Sequence, residues 1–205
     1  MRTGRVEAFS DGVIAILITI MVLELPKPAG GDWGALAEDW PVLLGYVLSF
    51  VFLGIYWNNH HHTFQAVSKV SGAALWANLH LLFWLSLVPF VTGWMSEEWV
   101  REGRLATAAV VTYGAVLFGA GGAFFILQQV LIRQEGPGST LAAAVGPDLK
   151  GKVSSVVYSA GILLTFVNPV AGIAAYVAVA LLWFIPDRRV ERQLAHQATA
   201  ERPDA

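Results

Sequence analysis

Residues 5–25, RVEAFSDGVIAILITIMVLEL, decide the fold of this chain. At about 1.5 Å of rise per residue, a helix of this length covers roughly 30 Å, the thickness of a bilayer's hydrocarbon core. The run is long enough to cross a bilayer but is interrupted early by charged residues, among them Arg5 and Asp11. An Asp at the centre of a membrane helix is unfavourable by about 2.5 to 3.5 kcal/mol, and by less near the interface. Asp11 therefore needs a partner, a proton or water.

Advancing about 100° per residue puts Arg5, Phe9, Gly12, Ile16, Thr19, Ile20 and Leu23 in one broad stripe, with Asp11, Ala15, Ile18 and Val22 on another face. An apolar stripe with a single hydroxyl is ambiguous, because lipid-facing and helix-packing surfaces also look like that, and plain packing is the simpler reading. Spacing alone leaves these open.

Working outward, the whole chain has the same character. Its 205 residues are 56% hydrophobic and 14% charged, with a mean hydropathy of +0.57, which describes a polytopic membrane protein rather than a soluble one. Cysteine is absent, which excludes a disulfide scaffold, thiolate catalysis and Cys-ligated metals. The net charge of -2, without a clustered basic patch, gives no support to nucleic-acid binding. A signal peptide would place few acids between its basic start and its apolar run, so Glu7 and Asp11 argue against one.

Further apolar segments follow at about residues 41–64, 72–94, 105–132, 153–167 and 170–185. Together with 5–25 they predict an all-α integral membrane protein of six spans, in a single domain over residues 1–186. Residues 187–205 form a polar tail. PKPAGGDWGALAEDWP reads as a loop whose Glu38 and Asp39 are first-turn acids for the next helix, and SEEWVREGR as a short charged loop. The longest loop is expected over about 133–152. Gly114, Gly119, Gly121 and Gly122 in the fourth span permit close helix approach.

Lys and Arg set the orientation. With the N-terminus inside, the inner segments hold Arg2, Arg5, Lys69, Arg133, Lys150, Lys152, Arg188, Arg189, Arg192 and Arg202, whereas the outer loops hold only Lys27, Arg101 and Arg104. This bias places both termini in the cytoplasm of a multi-pass cell-membrane protein. The outer loops are acidic, through Glu24, Asp32, Glu38, Asp39, Glu97, Glu98 and Glu102, and read either as a cation-concentrating vestibule or as ordinary solvated loops.

The second span ends in YWNNHHHTF, residues 56–64. Because the first helix rises from inside and the second descends, Asp11 arrives at the depth of Trp57, Asn58 and the histidines. His80, about 12 Å along the third span from Gly72, is placed near this group or slightly deeper. Three consecutive His residues diverge by about 100° each and cannot chelate one metal, so no metal and no cofactor are expected.

These residues carry a resemblance. Arg5, Phe9, Ser10 and Asp11 match the RxxxFSD signature opening the first helix of the transmembrane-protein-175 potassium channels. Tyr56, Trp57, His60, His61 and Phe64 resemble that family's YWxxHHxxF pattern, and Asn78 with Pro89 and Phe90 resembles its N…PF pattern. The resemblance implies a homotetramer in the bilayer whose first helices line a pore for monovalent cations, without a TVGYG filter. It implies a hydrophobic gate at Ile16, with further rings at Ile20 and Leu23, and a selectivity layer at Thr19 giving modest preference for potassium over sodium. Arg5, Ser10, Asp11, Trp57, His60, His61, Asn78 and His80 would then form a buried hydrogen-bond network.

His62 and Ala15 depart from the pattern. A proton-coupled or proton-conducting transporter is the alternative, since Asp11 and His80 are candidate proton carriers, though internal repeats and broken midplane helices are not visible. An enzyme is not expected: GxSxG and HExxH are both missing.

Overall fold

The computed structural model describes residues 2–184, which are helical apart from turns and short connections. Helix α1 is Thr3–Ile20, tightening into a 3-10 turn over Met21–Glu24, and α2 is the short Trp33–Glu38. Then come α3 Trp40–Gln65, α4 Gly72–Ser86, α5 Val88–Glu102, α6 Thr107–Glu135, α7 Thr140–Val145, α8 Leu149–Thr165 and α9 Pro169–Phe184. The expected polar tail, 187–205, lies outside the described residues.

Four segments are long and apolar enough to cross a membrane: Thr3–Glu24, Trp40–Gln65, Gly72–Glu102 and Thr107–Glu135. Helix α9 is apolar, and its 16 described residues cover about 24 Å. It pairs with α8 across a turn at Asn168, whose Oδ1 accepts the Val170 N–H at 2.9 Å.

Several expected loops are partly helical, for local reasons. Asp32 Oδ1 accepts the Ala35 N–H at 2.8 Å and starts α2 inside the first loop. Glu38 therefore closes α2, and Asp39 sits at the α2–α3 junction with no side-chain cap, so neither is a first-turn acid of the next helix. Ser139 caps α7 in the same way, and Asp148 caps α8, whose first residue Leu149 lies four before the expected span. SEEWVREGR begins as helix, not loop: α5 runs to Glu102, and Gly103, at φ 64°, ends it with its N–H on the Trp99 carbonyl at 2.8 Å. The expected third span is thus α4 and α5 in succession, broken at Leu87 because Pro89 cannot donate back to Leu85.

That same corner alters the charge reading. Arg101 pairs with Glu98 at 2.6 Å and approaches Glu102, which also meets Arg104. Part of the outer acidic cluster is neutralised by its own loop.

Helix α6 is the centre of the bundle, with α4, α5, α8 and α9 packed along it. Of its four expected close-approach glycines, Gly114 and Gly119 are tightly packed, whereas a Cβ would meet nothing within 4 Å at Gly122 and only ordinary contacts at Gly121. The fully buried Tyr176 of α9 fills a slot opened by Gly114 and Gly161, and the Trp84 indole lies on Gly119. A methyl at Gly114 would fall 2.0 Å from the Tyr176 hydroxyl and 2.9 Å from Ile162. Gly114→Ala is expected to destabilise by about 1 to 3 kcal/mol through overpacking, read as a lowered thermal midpoint in detergent, whereas an unchanged midpoint would mean that Tyr176 leaves the slot freely.

Helix α1, by contrast, lies at the edge of this bundle against α3, α4 and α5. Val6, Ser10, Ile14, Leu17 and Met21 form its buried face. At the end where α1 begins, Glu135 and Gln134 of α6 hold the α3–α4 connection, through the Ser68 hydroxyl at 3.1 Å, the Ser71 N–H at 2.9 Å and the Lys69 carbonyl.

Candidate functional site

The opposite face of α1 is unpacked. Phe9, Ile16, Ile20 and Leu23 are 55%, 59%, 39% and 79% exposed, and Arg5, Gly12 and Thr19 on the same stripe are exposed too. One subunit thus builds half of this helix into its core and leaves the other half as a continuous apolar ridge with one hydroxyl. Thr19 Oγ1 lies 3.0 Å from the Ala15 carbonyl and 2.9 Å from that of Ile16, so its proton is tied back to the helix. The oxygen lone pairs are what Thr19 presents outward.

What fixes the angular position of that ridge is a set of polar contacts on the far side. Ser10, fully buried, donates to the Val6 carbonyl at 2.9 Å and accepts from Asn78 Nδ2 at 2.9 Å. Asn78 Oδ1 then meets His60 Nε2 at 2.8 Å. Because the Asn78 amide nitrogen is committed to Ser10, its oxygen must accept, which makes His60 the Nε2–H tautomer. His60 is fully buried, stacks on Phe64 with ring centres 4.4 Å apart, and leaves Nδ1 without a partner. Three helices are joined by this chain of side chains, and α1 cannot roll without breaking it.

A second, more accessible ladder runs beside it. Trp57 Nε1 donates to Asp11 Oδ1 at 3.0 Å, and His61 Nδ1 meets Glu7 Oε1 at 2.5 Å. Glu7 and Asp11 are four apart on α1, and Trp57 and His61 four apart on α3, so each pair faces the other along one stripe. The Trp57 and His61 rings stack at 6.0 Å, and Gln65 Nε2 donates to His61 Nε2 at 2.7 Å. Asp11 thereby has the partner its membrane position demands.

Other expected members stand elsewhere. Arg5 is exposed and, among the described residues, its guanidinium makes no hydrogen bond or ion pair, so it is not part of the buried network. His80 faces outward on α4 and accepts from Trp84 Nε1 at 3.0 Å, one turn along its own helix. It does not join His60 and His61, because Asn78, two positions earlier, takes the inward direction. Phe90 is exposed. Among the described residues no group of His, Cys, Asp or Glu is placed to hold a metal.

Two contributors escaped the sequence reading. Glu7 had counted only as an acid disfavouring a signal peptide, yet its spacing to Asp11 matches that of Trp57 to His61. Ser49 was not singled out at all. Its hydroxyl is 2.7 Å from Thr92 Oγ1 and 2.9 Å from the Tyr113 hydroxyl, a buried knot joining α3, α5 and α6.

An edge helix locked on one side and bare on the other, beside helices long and apolar enough to cross a membrane, defines a membrane protein whose α1 presents an uncovered apolar face. Residues 5–89 match the family described as endosomal/lysosomal potassium channel TMEM175. A potassium channel of Chryseobacterium sp. (strain P1-3) is 50% identical over 194 residues, covering 95% of this chain and 98% of that one. The fold resembles the crystal structure of a lysosomal potassium-selective channel TMEM175 homolog from Chamaesiphon minutus, with a TM-score of 0.76 and 26% identity over 89% of this chain and 96% of that one. An endosomal/lysosomal proton channel TMEM175 of Gallus gallus is 32% identical over 130 residues, which are 56% of this chain and 26% of that one. The chain belongs to the TMEM175 family. These relatives are channels, not enzymes.

Proposed function

We propose that this protein is a potassium-permeable cation channel of the cell membrane, assembled from four copies with α1 of each around a central pore. The observation that carries the reading is the bare face of α1. Ile16, Ile20 and Leu23 are large, apolar and exposed in a subunit whose other side of the same helix is fully packed, and Thr19 interrupts them with an outward-turned oxygen. A lipid-facing helix gains nothing from a hydroxyl at this position, whereas a cation shedding hydration water does.

In this arrangement four Ile16 side chains close the axis by excluding water, and opening consists of widening or rotating that ring. Four Thr19 hydroxyls supply fewer contacts than stacked rings of carbonyls, so the preference for potassium over sodium is modest. The buried clamp of Ser10, Asn78 and His60 and the ladder of Glu7, Asp11, Trp57 and His61 hold α1 in register, without touching the ion. The α8–α9 hairpin supplies the fifth and sixth crossings, supported by its packing along the membrane-length α6. Both termini are cytoplasmic, in keeping with the distribution of Lys and Arg.

Flux measured in vesicles tests the proposal. The wild-type chain is expected to pass potassium down its own gradient with no pH gradient applied. Thr19→Val, which keeps the shape and removes the oxygen, is expected to lower the potassium-to-sodium permeability ratio by several-fold in planar bilayers, and an unaltered ratio would take the hydroxyl out of the ion's path. Transport that requires a pH gradient would instead favour the proton-coupled reading.

A further inference from the structure

Helix α1 packs against both α3 and α4, and each of those contacts leaves one polar atom unanswered nearby. An indole N–H can only donate, so the His80 Nε2 that Trp84 meets at 3.0 Å must accept, and neutral His80 carries its proton on Nδ1. Among the described residues nothing accepts from that Nδ1–H. Asp11 shows the converse. Trp57 answers its Oδ1, and among the described residues no donor bonds its Oδ2. His80 is exposed, and Asp11 Oδ2 is not one of the enclosed atoms, so a neighbour can reach both. In hydrocarbon an unpaired N–H and an unpaired carboxylate oxygen are each costly.

The two groups are level. Asn78 Nδ2 meets Ser10 Oγ at 2.9 Å, which sets α4 against α1, and both helices begin at the same end of the subunit. Asp11 is one residue beyond Ser10 and His80 two beyond Asn78, so their depths differ by about 1.5 Å. Rotation about an axis along the membrane normal leaves depth unchanged, so a ring of copies brings together only groups that are level.

They also open on opposite sides. Asp11 turns toward α3, whereas His80, about 200° round α4 from the inward-facing Asn78, turns away from α1. Head-to-tail packing joins opposite sides of successive copies. Around His80, Trp76, Leu79 and Phe83 give α4 an exposed apolar face that such packing would cover. Arg5 is a second exposed donor without a partner among the described residues, but it lies six residues, about 9 Å, nearer the start of α1, where a guanidinium is drawn to the membrane surface.

We infer that the exposed face of α4 in one copy seats against the α1–α3 seam of the next, with His80 Nδ1–H donating to Asp11 Oδ2 across the interface. This rests on the four-copy reading and adds to it which surfaces meet and which pair of side chains joins them.

Cysteine crosslinking tests the seating, because the chain has no cysteine of its own. Ala15 and Phe83 are both exposed and lie five residues beyond the touching Ser10 and Asn78, one turn from Asp11 and from His80 respectively. The full chain carrying Ala15→Cys with Phe83→Cys, oxidised by copper phenanthroline in phosphatidylcholine vesicles, is expected to run as covalent dimers to tetramers that dithiothreitol collapses. Neither single variant is expected to crosslink, and a dimer formed by either alone would put like helices of neighbouring copies together and overturn the seating. Native mass spectrometry over a dilution series in detergent reads the bond. His80→Leu is expected to raise the concentration at which the tetramer falls to half by about tenfold, the value of one hydrogen bond to a charged group. His80→Asn, whose Nδ2 takes the place of Nδ1, is expected to restore most of the loss, and an Asn variant no better than Leu would overturn the bond. Tetramers that never form the Ala15 to Phe83 link, or that dissociate alike in wild type and His80→Leu, would overturn the interface and leave the four-copy reading standing, whereas a wild-type chain that stays a monomer would overturn both.

Discussion

Ile16→Asn is expected to raise passive potassium flux through reconstituted vesicles by about a hundredfold. A hundredfold increase corresponds to lowering the barrier by about 2.7 kcal/mol, and in the proposed four-copy assembly each introduced amide has to stabilise water in the constriction by less than about 1 kcal/mol. One water-mediated contact per amide is enough for this. The position is suited to the test because Ile16 is exposed on α1 and the change leaves the subunit core intact. Ile14→Asn, two positions earlier but only 1% exposed, should behave in the opposite way, with loss of folded protein and no gain in flux. Leu23→Asn, on the same ridge beyond the end of the regular helix, should give a smaller increase. Flux through Ile16→Asn vesicles equal to wild type would remove Ile16 from the conduction path and return the ridge to lipid or helix packing.

The parts of this fold that were legible in the sequence were those written in period and length. The stripe from Phe9 to Leu23 follows from 3.6 residues per turn, and every residue of it is exposed on α1, although Ala15 and Val22 from the neighbouring face are exposed beside it. The depth argument brought Asp11 to Trp57 because antiparallel helices of known rise leave few choices. Hydropathy failed where a helix is held by caps and neighbours instead of by its own apolarity. Asp32, Ser139 and Asp148 each accept an N–H three residues on and start helices inside stretches that read as loop. Azimuth was the other gap. Arg5 and His80 were placed at the right depth, but depth does not say which way a side chain faces. His80 turns outward because Asn78 occupies the inward direction on α4, a choice that becomes visible only once Ser10 and His60 are known to converge on Asn78.

That convergence makes Asn78 the position where removing one side chain's hydrogen bonds is expected to cost most. Asn78→Leu keeps the volume but removes both hydrogen bonds, and it strands a buried His60 N–H on a ring whose other nitrogen already lacks a partner. Orphaning a buried donor costs about 1 to 3 kcal/mol, and losing the bond to Ser10 about 1 more, for a total of roughly 2 to 4 kcal/mol. Ser10 is spared the full penalty because it still donates to the Val6 carbonyl. Trp57→Phe should cost less, since it keeps the stack on His61 and removes a single bond to an Asp11 that is only partly buried. The double variant His60→Leu with Asn78→Leu separates packing from pairing, because removing both partners of a buried hydrogen bond is far cheaper than removing one. Thermal midpoints in detergent are therefore expected to fall most for Asn78→Leu and to recover in part for the pair. If the two single losses simply add in the double variant, His60 and Asn78 are not coupled. The register of α1 would then have to be held by the Ser10–Asn78 bond and by Glu7, Asp11, Trp57 and His61.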